Sequence, residues 1–233
     1  MRTVASTAST NDDVAALARA GAPEGLWLRA ALQTGGRGRH GRRWESRAGN
    51  LYASTLVRPR AGDPSPATLA LVAAVALDEL VAAYVEPPRL RLKWPNDVLI
   101  DGAKLSGILL EGVNDAVVIG FGVNLAHHPE GVGQAVTSLA AAGADLPDPE
   151  LFVGDLAEAF ARWLARWRGV GFEAVRRRWL ERAHPAGTPL ATTAADGARI
   201  EGLFDGLDPS GAARLRLADG TVHVMHAGDI QLI

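Results

Sequence analysis

The spacing of apolar and polar positions divides the first four-fifths of the chain into helix and strand signals. Ser9-Thr10-Asn11-Asp12-Asp13 ahead of VAALARAG has the form of a capped helix start, with Gly21 as its stop. Residues 26–32 (LWLRAAL) and 50–57 (NLYASTLV) read as strands, and after Asp63-Pro64-Ser65-Pro66 the pattern predicts a long helix through about residue 85. Residues 89–94 (RLRLKW) alternate as a half-buried strand does, until Pro95 and Asn96 break them. Asp101-Gly102 is a hairpin signal between two apolar runs, and 116–126 (AVVIGFGVNLA) predicts a further strand ending in a turn. Two helices rich in Arg and Trp follow, near 150–167 and 172–183.

Past His184-Pro185-Ala186-Gly187 the texture changes. Turn pairs at Asp196-Gly197, Ser210-Gly211 and Asp219-Gly220 separate short strand-like runs, the spacing of a small antiparallel barrel. A boundary near residue 186 therefore divides the chain into 1–185 and 186–233.

Composition narrows the function. A length of 233 residues suits one full domain with a small appendage. With no cysteine, disulfides, thiolate metal sites and cysteine nucleophiles are excluded. The formal charge of −2 argues against a general nucleic-acid binder. MRTVASTASTNDD lacks an apolar signal core, and the longest apolar stretch, 68–85, is interrupted by Asp78 and Glu79. The expected setting is the cytoplasm, without a membrane partner.

Four segments carry chemistry. Residues 35–44, GGRGRHGRRW, hold four arginines and four glycines and no carboxylate. Glycine lets backbone approach a ligand, and a guanidinium fork grips carboxylate or phosphate, so the segment is either an anion grip or a solvated surface loop. Lys93-Trp94-Pro95-Asn96-Asp97 ends a strand in a carboxylate and an amide, either at a ligand position or in an ordinary turn. Lys104-Leu105-Ser106-Gly107 brings a lysine into an apolar strand pair, where it either reaches solvent or aims at a buried anion, and Gly107 marks a bulge or a close backbone approach. In Gly120-Phe121-Gly122-Val123-Asn124 the glycines allow tight packing, while Asn124 either reads a ligand or caps a turn. His127 and His128 have no acid–His spacing that would support a metal site, and Ser9 and Thr10 lack a Ser–His–Asp arrangement.

Taken in order, Ser9-Thr10-Asn11, Gln33, Gly36-Arg37-Gly38-Arg39, Gly41-Arg42, Trp44 and the three later segments resemble the catalytic core of biotin–protein ligases. The resemblance implies an α+β fold: a mixed, mostly antiparallel sheet with helices, similar to class II synthetases, plus a small C-terminal SH3-like barrel. It also implies a two-step reaction, in which biotin and Mg-ATP give biotinyl-adenylate and a lysine of a biotin carboxyl carrier domain then takes the biotinyl group. Ser9, Thr10, Asn11, Gln33 and Gly107 would bind biotin, with Gly36, Arg37, Gly38 and Arg39 closing over it. Lys104 would contact the biotin carboxylate as electrostatic catalyst, with Arg39 and Arg42 on the phosphates. Asp97 would position Lys104 or accept the incoming lysine's proton. Trp44 would cover the adenine, aided by Asn11, Asn96 and Asn124, and no metal ligand is assigned.

His40 stands where many relatives carry a second arginine, and the chain reaches Ile233 where some carry a basic residue near the nucleotide. The core helix begins near residue 11, so the expectation is the monofunctional form, without the DNA-binding domain of relatives that are also repressors. The alternatives are a lipoate–protein ligase or acyltransferase of the same fold, a non-catalytic biotin sensor, or a nucleic-acid-binding module. The Arg/Gly loop is expected to be a mobile lid that orders over the adenylate.

Overall fold

Alternation along the strands decides which face of the central sheet meets the helices and which is left for a ligand. In the computed structural model, which describes residues 1–193 and 197–233, seven strands form this sheet in the order β1-β2-β3-β7-β6-β5-β4. They are β1 (Arg2–Thr7), β2 (Trp27–Gln33), β3 (Leu51–Val57), β4 (Leu90–Lys93), β5 (Asp97–Ile100), β6 (Ala103–Val113) and β7 (Ala116–Val123). Only β1 and β2 pair in parallel, joined through helix α1 (Thr10–Arg19). The expected mixed, mostly antiparallel α+β architecture is therefore what the chain forms.

On one face, Leu51, Ala53, Ile119, Phe121, Val123 and Leu105 pack under α2 (Leu69–Val81), α3 (Pro149–Val170) and α4 (Phe172–Arg182). A fully buried Leu or Phe there contributes roughly 1.5–3 kcal/mol. On the other face, Val14, Ala15 and Ala18 of α1 cover Leu28, Leu56 and Val118. The period of two therefore turns Gly120 and Gly122 of β7 away from the main core.

The helix after Pro66 is shorter than the apolar pattern predicts. Its α-helical part closes at Val81, and Ala83 and Tyr84 bond back only three residues. Pro87 and Pro88 lie just beyond, where proline forbids continuation and disfavours helical backbone in the residue before it. Strand β1 has no counterpart in the sequence reading: four of its six residues are polar and most are exposed, as an edge strand tolerates.

The Asp101-Gly102 hairpin forms as expected, with both residues at positive φ. Beyond residue 188 lie β8 (Pro189–Thr193), β9 (Arg199–Leu207), β10 (Ala213–Arg216), β11 (Val222–Met225) and β12 (Ile230–Leu232). They form an antiparallel sheet in the order β11-β10-β9-β8-β12, which fits the expected barrel-like module. The turn at Ser210-Gly211 is present; Asp196 of the first turn pair lies outside the described residues. Leu190, Phe204, Leu207 and Leu215 join the same apolar cluster as α2–α4, and Trp94 Nε1 donates to the Gly211 carbonyl at 3.1 Å. That bond ties the C-terminal sheet to the end of β4.

Candidate active site

A cavity of about 430 Å³ opens on the ligand-facing side of the sheet, between the Arg/Gly segment, the ends of β4–β7 and the residues around β12. Six cationic side chains and two carboxylates line it. The Arg/Gly segment forms a hairpin: Arg37 bridges Arg43, Trp44 N donates to Gly36 O at 2.9 Å, and Gly38 N to Arg42 O at 2.7 Å. Gly36 sits at its neck, where an added Cβ would stand 2.8 Å from Ser46 Oγ and from Trp44 O. His40 at the tip is exposed and has left-handed backbone, φ 56°.

One end of the cavity is neutral in character and closely wired. Ser9 caps α1 from the helix start, its hydroxyl accepting from Asp12 N at 3.4 Å. Thr10 donates to Gln33 Oε1 from its amide at 2.8 Å and from its hydroxyl at 3.1 Å. Ser54 Oγ lies 2.7 Å from both Thr10 Oγ1 and Asn11 Oδ1, and Asn11 Nδ2 donates to Glu111 at 2.6 Å. Gly120 permits this: a Cβ there would lie 2.2 Å from Asn11 Oδ1. Arg37 donates to both oxygens of Asp12 at 2.6 Å and to Glu111 at 3.0 Å. That guanidinium holds the Asp12 carboxyl below its ordinary range. Arg37 thus fastens the hairpin to α1 and β6, with its charge already matched.

The other end carries the unmatched positive charge. Pairing of β5 with β6 skips Leu105, and this bulge turns both Lys104 and Gly107 toward the cavity. Lys104 Nζ forms an ion pair with Asp97 Oδ1 at 2.7 Å, and Lys93 Nζ lies 3.8 Å from Asp97 Oδ2. One carboxylate therefore orients one lysine closely and a second loosely. The Trp44 indole lies across Gly107 and Gly122, where added Cβ atoms would be 3.2 and 2.6 Å from it. Lys104 Nζ is 5.7 Å from that ring's centre, within cation–π reach. Trp44 Nε1 is buried with no protein partner among the described residues. Arg39 and Arg42 both reach Asp229, at 2.9 and 2.6 Å.

The structure thus gathers Ser9, Thr10, Asn11, Gln33, Arg37, Gly38, Arg39, Arg42, Trp44, Asn96, Asp97, Lys104 and Gly107 around one cavity. Two expected residues stand apart. Gly36 shapes the hairpin neck. Asn124 is buried, its amide donating to Thr137 O at 3.0 Å, so it anchors the 124–139 connection and does not line the cavity. Asn96 lines the cavity, but its amide is taken by Ile108 O at 2.5 Å.

The sequence reading did not single out Glu111, Ser54 or Asp229. Glu111 carried one legible signal, a carboxylate at the end of an otherwise apolar strand; the others had none. Among the described residues, no group of three or more His, Asp or Glu side chains could hold a metal ion, and no helix is long and apolar enough to cross a membrane.

The biotin/lipoate A/B protein ligase family model matches residues 4–124. The chain is 41% identical over 225 residues to the biotin–[acetyl-CoA-carboxylase] ligase of Paracoccus denitrificans, spanning 91% of this chain and 92% of that protein. Its identity to the Mycobacterium tuberculosis protein of the same name is 36% over 233 residues, spanning 97% and 86%. In fold it is similar to the biotin protein ligase of Aquifex aeolicus solved with biotin and ATP, with a TM-score of 0.84 at 24% identity over 99% of this chain and 97% of that one.

Proposed function

The chain belongs to the biotin/lipoate A/B protein ligase family, and on that premise we propose how its site works. It is an ATP-dependent ligase that attaches biotin to protein through a biotinyl-5'-adenylate intermediate. The acceptor is a lysine of a biotin carboxyl carrier domain, a reading supported by the acetyl-CoA carboxylase in its relatives' names. We place the reaction in the cytoplasm and assign 1–185 to biotin and ATP binding, with 186–233 as a small supporting module.

The observation that carries this assignment is the cavity's polarity, with Lys104 at its cationic end. Biotin's ureido head is neutral and rich in donors and acceptors. It matches the Thr10, Asn11 and Gln33 groups, while Ser54 and Glu111 hold Asn11 in place. Its carboxylate then points toward Lys104 and the arginines.

In the first step a biotin carboxylate oxygen bonds to the α-phosphorus of ATP, and the bond to the bridging oxygen of pyrophosphate breaks. Two anions must meet, so the residues' task is to cancel repulsion and stabilise charge on the phosphoryl oxygens. Lys104, paired with Asp97, supplies one donor at the cationic end; Arg39 and Arg42 supply forks for the phosphates. Trp44 covers the adenine. Mg²⁺ bound with ATP would add charge neutralisation on the phosphates, and no residue of the chain is assigned to hold it.

In the second step the acceptor amine bonds to the acyl carbon, AMP leaves with the mixed-anhydride oxygen, and the amine's extra proton passes to water. Asp97 serves here chiefly by holding Lys104. The Arg/Gly hairpin acts as a lid that opens for the acceptor lysine.

The test is pyrophosphate release with ATP and either biotin or lipoate, followed by transfer to a carrier domain. Release and transfer with biotin alone are expected. Release with lipoate alone would make the chain a lipoate ligase, and binding without release would make it a sensor.

A further inference from the structure

The C-terminal sheet meets the Arg/Gly hairpin at one carboxylate, and the geometry there has a direction. Asp229 lies just before β12. Its backbone carbonyl accepts from Thr192 Oγ1 of β8 at 2.9 Å, and the next residue, Ile230, pairs with Thr192. The carboxylate is thus presented from a fixed sheet. Oδ1 accepts from Arg39 Nη1 at 2.9 Å and Oδ2 from Arg42 Nη2 at 2.6 Å, while Arg39 Nη1 also reaches the Gly228 carbonyl at 2.9 Å.

We propose that Asp229 is a positioning residue for the nucleotide: it sets the two phosphate-gripping guanidiniums side by side before ATP arrives and fastens the hairpin to the C-terminal sheet. The proposal rests on the assignment of Arg39 and Arg42 to the phosphates. Each guanidinium gives Asp229 one terminal nitrogen, which leaves Arg39 Nη2 and Arg42 Nη1 for a phosphate oxygen. One carboxylate between two guanidiniums also leaves a net positive charge, so the cluster still attracts an anion.

Two effects of Asp229 on ATP oppose each other. Its charge repels phosphate, but it is one-third exposed and already doubly paired, so that repulsion is screened. Against this, two long side chains would have to be ordered on ATP binding if nothing held them beforehand. Preorganisation prevails, and the sign of the change in KM for ATP reads which effect is larger.

The experiment measures pyrophosphate release in the full chain against ATP and, separately, biotin. Asp229→Ala is expected to raise the KM for ATP about tenfold, with the KM for biotin unchanged and kcat within about twofold. Asp229→Glu should recover part of the loss, and Asp229→Asn, which keeps one acceptor, should fall between. In an Arg39→Ala/Arg42→Ala background, removing Asp229 should change the KM for ATP no further.

An unchanged or lower KM for ATP in Asp229→Ala would overturn the proposal, the lower value marking the carboxylate as a competitor of phosphate. An equal rise in the arginine-free background would also overturn it, because the effect would then be general damage to the sheet. If Asp229→Ala does not fold, Asp229→Asn decides by the same criteria. Failure of the underlying assignment looks different: the double arginine variant alone would keep a normal KM for ATP, and the proposal would fall with it.

Discussion

The two ends of the cavity solve opposite problems. At the Thr10–Asn11–Gln33 end, hydrogen bonds run between groups 23 to 100 residues apart, and even Arg37 is matched by two carboxylates. At the Lys104 end, cations outnumber their partners and Trp44 keeps a buried N–H without one. A satisfied polar network costs little to bury and holds its shape, which suits selection of a neutral head group. An excess of oriented cations becomes fully matched only when anions arrive, which suits charge that develops during reaction. The difference teaches that hydrogen-bonded and cationic groups occupy separate ends of this cavity.

Breaking the cationic end should have the largest effect. Lys104→Ala removes a donor there and is expected to lower kcat for pyrophosphate release by about 10²–10³-fold, with a normal melting temperature. A loss below tenfold would move the catalytic burden to the arginines.

At the wired end, Gly120→Ala drives a methyl into Asn11. It should raise the KM for biotin about tenfold, the order expected for losing one or two buried hydrogen bonds, and leave the KM for ATP near normal. Equal changes in both constants would show that the two ends are not independent.

A smaller effect marks the scaffold that lies outside both. Glu24 accepts from Arg168 at 2.6 and 2.8 Å, and this guanidinium holds its carboxyl down at about 2. A depressed carboxylate stabilises the fold fully above its unfolded value near 4.5 and loses that contribution as pH falls toward 2. Glu24→Gln should therefore reduce stability at neutral pH and flatten the acid limb of a melting-temperature profile between about pH 4.5 and 2. An acid limb as steep as that of the parent chain would assign it to other carboxylates.

How much of this was legible depended on whether a residue's role was local. The strands around Ala53 and Phe121 follow from short runs rich in apolar residues, and the Asp101-Gly102 turn from its two residue types. The Arg/Gly hairpin announces itself by composition, because no core needs four arginines and four glycines in ten positions. β1 was not legible, since a polar edge strand is specified by its neighbour and not by its own pattern. Asn124 misled for a related reason: an amide beside glycines suits a ligand and a loop anchor equally, and only the fold shows Thr137 as its partner. Asp229 meets Arg39 across 190 residues of chain, a pairing no spacing rule encodes.

The polarity of the cavity is the central claim, and a structure with a non-hydrolysable biotinyl-adenylate analogue tests it most directly. The account predicts the ureido ring within hydrogen-bond distance of Thr10, Asn11 or Gln33, and the phosphate against Lys104, Arg39 and Arg42. A ureido ring beside the arginines, or a phosphate at the Thr10–Gln33 end, would contradict it.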